Sequence, residues 1–217
     1  MDYIFSILPA MFDGSKTTVE LFLAVWILSV PIGLLVAIMR ILSSKPVKTM
    51  ISGYIWIMRG SPLMLQMMFI YYGLPFLPII GIRLDDWPAA LIAFVINYAA
   101  YFAEIFRAGI QAIDKGQYEA ARSLGMTYTQ TMRRIVLPQV VRHVLPPVAN
   151  ETITLVKDTS LIYVLAMNDL MRVTRNIVQR DFNIMPFLVA IVFYLVMTLV
   201  LTLMFERLEK KYSEYNS

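Results

Sequence analysis

Residues 17–39 read TTVELFLAVWILSVPIGLLVAIM, with one charge, Glu20, in the first turn. A helix advances about 1.5 Å per residue and the hydrocarbon core of a bilayer is about 30 Å thick, so about 20 mainly apolar residues span it. This stretch is long and apolar enough to do so. Four more segments fit the same template: Ser61 to Ile80, Trp87 to Phe106, Val144 to Met167 and Phe182 to Phe205. None shows the polar/apolar alternation of a barrel strand, and a chain in lipid must otherwise satisfy its backbone within helices. The expected fold is an all-α membrane protein of five transmembrane helices in a single domain, 1–217.

Composition points the same way. Of 217 residues, 59% are hydrophobic and 16% charged, a balance outside the range of water-soluble domains. The 11 prolines and 9 glycines are scattered through apolar stretches and mark no linker. A net charge of +4 does not point to nucleic acid, because the basic residues sit in short loops between apolar runs. With no cysteine and one histidine, His143, disulfides, Fe–S clusters, thiolate zinc and multi-histidine metal sites are excluded, and no cofactor is expected. The start, Met-Asp-Tyr-Ile, lacks the pattern of a cleaved secretory signal, so the first apolar segment is expected to remain in the mature protein.

Five spans place the termini on opposite sides, and basic residues choose the cytoplasmic one. Arg40, Lys45, Lys48, Arg59, Arg107, Lys115, Arg122, Arg133, Arg134, Arg142, Arg207, Lys210 and Lys211 fall on one side. Lys16, Arg83, Arg172, Arg175 and Arg180 fall on the other. The expected orientation is N-terminus outside and C-terminus inside. Ser61-Pro62 and Trp87-Pro88 read as helix starts, and Pro31, Pro75, Pro78 and Pro186 as bends.

Between Arg107 and His143 the chain is too polar to span but keeps helical periodicity. Asp114 with Gln117 caps one predicted helix, which stops at Gly125; Thr127 with Gln130 caps a second, which Pro138 ends. From pattern alone this elbow is either a surface connector or a docking element.

The loop reads Glu119-Ala120-Ala121, three residues, Gly125, nine residues, then Ile135-Val136-Leu137-Pro138. Every specified position resembles the EAA loop of binding-protein-dependent ABC importer permeases. Arg59-Gly60-Ser61-Pro62 with Gln66, Ala103 through Ile110, and Lys157-Asp158-Thr159-Ser160-Leu161 are similar to the polar amino-acid uptake permeases, with Ser61 in place of the usual threonine. The resemblance covers nearly the whole chain. It implies a type I ABC importer permease fold, multi-pass in the bacterial cytoplasmic (inner) membrane. It also implies a coupling helix formed around Glu119, Ala120, Ala121, Gly125, Ile135, Leu137 and Pro138. The implied partners are an ABC ATPase dimer, a second permease subunit and an extracytoplasmic substrate-binding protein. The chain has no phosphate-binding loop of its own: Gly14-Ser15-Lys16-Thr17 lacks the loop that would precede it. ATP hydrolysis therefore belongs to the partner, and this chain is expected not to be an enzyme.

Ionisable residues within spans are costly and tend to face a cavity or a partner. Asn97, Tyr101 and Glu104 share one helical face; Glu151, Thr154 and Asp158 share another, with Lys157 on a neighbouring face. An amino-acid zwitterion needs an acceptor for its ammonium and a donor for its carboxylate, which these two faces offer. The alternative is that these groups only hold helices together. Glu104 and Arg107, three apart, read as an intrahelical pair, and Arg59 either orients the second helix from the inner interface or approaches the pathway, its place at a span boundary favouring a snorkelling role. Acidic cavity residues favour a basic substrate such as arginine, lysine or histidine, while glutamine and cystine stay open. A secondary transporter would lack the EAA loop, and an intramembrane enzyme would need a zinc pair or nucleophile motif that is missing.

Overall fold

The computed structural model describes residues 2–78 and 81–213, and among them every regular element is helical. The α-helices are α1 (Asp2–Leu42), α2 (Lys45–Gly60), α3 (Leu63–Met68), α4 (Asp86–Gln111), α5 (Lys115–Ser123), α6 (Tyr128–Thr131), α7 (Leu137–Asp158), α8 (Leu170–Asp181) and α9 (Met185–Ser213). Three of them, α1, α4 and α9, are long and apolar enough to cross a membrane.

Helix α1 buries one stripe, Met11, Gly14, Thr18, Leu21, Val25, Ser29, Gly33 and Ala37, at three- and four-residue spacing. Its C-terminal half lies along α4, whose facing residues are small: Ala93, Ala99, Ala100 and Ala103 are all buried. In lipid there is little hydrophobic drive between helices, so close backbone approach supplies the packing. Gly33 marks the tightest point, where a Cβ would lie 2.6 Å from the Phe102 Cβ and 3.0 Å from the Ala99 carbonyl. Gly33→Ala should force the two helices apart, at about 1–3 kcal/mol for an overpacked site. The expected outcome is a melting temperature several degrees lower in detergent, with membrane insertion unchanged; an unaltered melting temperature would show that the seam yields freely.

Several expected boundaries shift. The first helix has 41 residues and begins at Asp2, well before Thr17; its N-terminal part packs Ile7 and Met11 against Leu170, Ile177 and Ala190 of α8 and α9. Pro31 lies inside this continuous helix. The second span is not one helix from Ser61. Helix α2 ends at Gly60, Ser61 is extended (φ −121°, ψ 149°), and α3 then passes into a π-turn (Phe69–Gly73) and a 3₁₀ turn (Leu74–Phe76). The cause is Pro62, which pushes the preceding residue out of the helical region and has no N–H to donate. The Ser61 hydroxyl does not cap α3; it donates back to the Ile57 carbonyl at 2.7 Å. The expected end of that span, Ile79 and Ile80, lies outside the described residues.

Pro138 does not end a helix. It sits in the first turn of α7, where a missing N–H is tolerated, and the chain runs from α6 through a π-turn (Met132–Val136) straight into α7. Helix α7 thus starts earlier than Val144 and stops at Asp158, short of Met167. A 3₁₀ segment, Thr159–Leu165, follows and closes on Ala166 at φ 63°. Residues 170–181 form an amphipathic helix that hydropathy leaves as loop, capped by Asp169, whose carboxylate accepts from the Met171 and Arg172 N–H groups at 3.0 Å. Helix α9 begins at Met185 rather than Phe182.

Candidate functional site

The break between α2 and α3 leaves backbone carbonyls without helical partners, and two side-chain amides supply them. Asn97, only 3% exposed on α4, donates to the Met58 carbonyl at 2.9 Å and to Gln66 Oε1 at 3.0 Å. Gln66 Nε2 donates to the Met58 and Ser61 carbonyls and to the Ser61 hydroxyl. The discontinuity is therefore a fixed part of the fold.

Beside it opens a cavity of about 610 Å³, within the usual size of small-molecule sites. Asn97, Tyr101, Glu151, Thr154 and Asp158 line it, which gathers five of the six candidate residues. Lys157 is not among them: it is exposed on another side of α7, in a separate pocket with Ser160, Tyr194 and Thr198. Two further lining residues are not among the six candidates. Arg59 lies here rather than at an interface, its guanidinium 5.2 Å from the centroid of the Tyr101 ring. Tyr98 donates its hydroxyl to Asp158 Oδ2 at 2.7 Å, fixing that carboxylate against α4. Gly60-Ser61-Pro62 taken as a mid-span break would have favoured the pathway reading of Arg59; Tyr98, in a row of aromatics, carries no sequence signal that separates it from core.

Arg59, Tyr101 and Glu151 also border a second cavity, of about 450 Å³, which reaches Glu104, Gly109 and His143. Glu104 forms the expected ion pair with Arg107 and a second one with Arg40 at 2.5 Å, tying the end of α1 to α4. Among the described residues, no cluster of His, Asp or Glu is arranged to hold a metal ion.

The coupling-loop candidates fold as an elbow. Asp114 caps α5 through the Gly116 N–H at 2.6 Å, without the reciprocal bond from Gln117, whose side chain accepts from Gln139 instead. Thr127 and Gln130 complete a reciprocal capping box on α6. Helix α5 ends with Gly125 at φ 70°, where Gly125 N–H bonds the Arg122 carbonyl and Met126 N–H bonds the Ala121 carbonyl. Ala121 is fully buried in its own chain and anchors the elbow. Glu119, Ala120 and Gly125 are exposed, and so are two large apolar residues, Leu124 at 79% and Tyr128 at 75%. Ile135 and Pro138 are half-buried, and Leu137 is exposed.

An all-helical membrane chain with a polar cavity at a broken helix and a projecting elbow is the architecture of a transport subunit. Residues 29–214 match the family of binding-protein-dependent transport system inner membrane components, and the chain belongs to that family. It is 35% identical over 205 residues to the arginine transport system permease protein ArtQ of Bacillus subtilis, covering 94% of this chain and 93% of that one. To the glutamine transport system permease protein GlnP of Escherichia coli K12 it is 34% identical over 209 residues, covering 96% and 95%. A solved structure described as an amino acid ABC transporter with histidines superposes with a TM-score of 0.86 at 36% identity, covering 96% of this chain and 97% of that one. These are permease subunits, transport components rather than enzymes.

Proposed function

We propose that this chain is the permease of an amino-acid ABC importer whose substrate occupies the cavity beside the α2–α3 break, and that the substrate carries a cationic side chain. The observation that carries this reading is the charge arrangement: one guanidinium, Arg59, and two carboxylates, Glu151 and Asp158, line a single small-molecule cavity. An α-carboxylate pairs with the planar fork of Arg59, and ammonium or guanidinium groups pair with the two acids. The relatives and the solved structure support the substrate class. Tyr101 and Thr154 offer hydroxyls, and Asn97 holds the wall. Lys157, on another face of α7, makes no direct contact with substrate in this reading.

In this reading the five spans are α1, the broken segment from α2 to the 3₁₀ turn, α4, α7 and α9, in the cytoplasmic membrane of a bacterium. The C-terminus and the α5–α6 elbow lie inside, with α8 outside, because the basic residues concentrate on the elbow side even after Arg59 is assigned to the cavity. The partners are a second permease subunit, an ATPase dimer and an external binding protein. Glu119, Ala120, Leu124 and Tyr128 present the surface that meets the ATPase, with Gly125, Ile135, Leu137 and Pro138 shaping it.

The test is ATPase activity of the permease reconstituted with its cognate ATPase, across the twenty amino acids with and without the cognate binding protein. Stimulation by arginine, lysine or histidine is expected. Stimulation by glutamine alone would overturn the cationic assignment, and no stimulation in an assembled complex would overturn the amino-acid one.

A further inference from the structure

The second cavity, of about 450 Å³, leaves Asn97, Thr154 and Asp158 behind and runs toward the elbow. On α4 its wall holds Tyr101, Ala108 and Ala112, and on α7 Glu151, Pro147 and His143, each set at spacings of four or seven residues along one helical face. Ala112 is the C-cap of α4, two residues before the Asp114 that caps the elbow. From Glu151 to His143 is eight residues, about 12 Å along α7, and from Glu151 to Asp158 is seven residues, about 10 Å the other way. Glu151 therefore stands between two chambers. Gly109 brings α4 and α7 together beside the second, since a Cβ there would overlap Val144 Cγ1. Of the acids and arginines on its wall, Glu104 is already held by Arg40 and Arg107. That leaves Arg59 and Glu151, one guanidinium and one carboxylate, both shared with the first chamber.

We infer that the second chamber is a release station for the same amino acid, reached while its α-carboxylate stays on Arg59 and its cationic end swings from Asp158, past Glu151, to the space beside His143. The inference rests on the substrate reading proposed above. Arg59 serves both chambers and its planar fork pairs with one carboxylate, so only one chamber is filled at a time. The swing never leaves that carboxylate without its partner, which a jump between separate anchors would do. Two acids line the first chamber for the cationic end, and Glu151 alone is open to it in the second. Each move toward the elbow thus gives up an ionic contact, and the second station holds the substrate more weakly than the first.

The experiment uses the permease–ATPase complex in detergent with Ala108→Cys, an exposed position on the wall of the second chamber only, in a chain that has no cysteine of its own. Reaction of this cysteine with aminoethyl methanethiosulfonate, a cation smaller than arginine, is timed on the permease during titration with arginine or its decarboxylated amine. Binding of labelled arginine is measured on the same protein. Arginine is expected to slow the reaction in part, with the midpoint of its own binding, and the amine only at concentrations about tenfold higher or more. Asp158→Asn, confined to the first chamber, should shift the ratio of the two bound states about tenfold toward the second, so the slowing at saturation deepens. Ala112→Cys repeats the measurement from the elbow end of the chamber. Cysteines that fail to react without arginine would overturn the station, and so would slowing that is absent from the Asp158→Asn protein or no deeper there than in the parent. A slowing midpoint unlike the binding midpoint would mark two independent sites and overturn the shared anchor. In all these outcomes labelled arginine still binds and the first cavity stands, whereas a complex that binds no arginine removes the substrate reading and the station together.

Discussion

A Gly125→Val protein is expected to insert, to assemble with its ATPase and to lose most of its substrate-stimulated ATP hydrolysis. Gly125 sits at φ 70°, and no atom lies within 4 Å of where a Cβ would be, so the substitution meets no steric neighbour and acts on the backbone alone. A β-branched residue in this left-handed conformation costs about 1–3 kcal/mol. The elbow would answer by releasing the two bonds that close α5, from Gly125 to Arg122 and from Met126 to Ala121. If transmission requires the closed elbow, its population falls by about 5–150-fold, and stimulated hydrolysis falls with it. Gly125→Asn should keep most of the activity, because asparagine tolerates the same conformation. Normal stimulation of the valine protein at normal expression would sink the idea. An asparagine protein as damaged as the valine one would move the cause from backbone geometry to space in the ATPase groove.

Arg59→Gln is expected to weaken amino-acid binding by about tenfold or more, the cost of losing a charge-assisted hydrogen bond to the substrate carboxylate. Binding of labelled arginine to the permease–ATPase complex without the binding protein is the proper readout, since the external protein would otherwise set the apparent affinity. Specificity gives a sharper signature. The native protein should reject the decarboxylated amine, which leaves Arg59 unpaired, while the Gln protein should bind amine and amino acid about alike. Arg59→Lys should be intermediate, keeping the charge but losing the fork and the stacking on Tyr101. If the Gln protein still prefers the amino acid as strongly as the native one does, Arg59 is not the carboxylate site.

The parts of the fold that were legible in the sequence are those where local chemistry and tertiary packing agree. Helices α1, α4 and α9 were visible because their apolar runs exceed the bilayer thickness whatever they pack against. The break after α2 was hidden because Lys45, Lys48 and Arg59 lower the hydropathy of that segment, so the span seemed to begin only at Ser61. That one shift also displaced Arg59 from the cavity to a supposed boundary. Helix α8 was missed because its buried residues, Leu170, Thr174 and Ile177, are too few to register in a membrane-scale window. The candidate cavity residues on α4 and α7 were legible because a polar stripe at helical spacing inside an apolar run is expensive and conspicuous. Lys157 shows the limit of that logic, since adjacency in sequence on a helix turns a side chain about 100° away from its neighbour.

Asn97 has a consequence for anyone scanning this transporter by saturation mutagenesis. Both of its amide donors are committed to the Met58 carbonyl and to Gln66, yet it borders the cavity. In a growth-based screen its variants would sort with those of true substrate contacts. Epistasis separates the two. Asn97→Ala and Gln66→Ala share one network, so their defects should overlap instead of adding. Asn97 and Glu151 variants should combine nearly independently, and the map of pairwise fitness would then outline the helix break and the ligand as two different neighbourhoods.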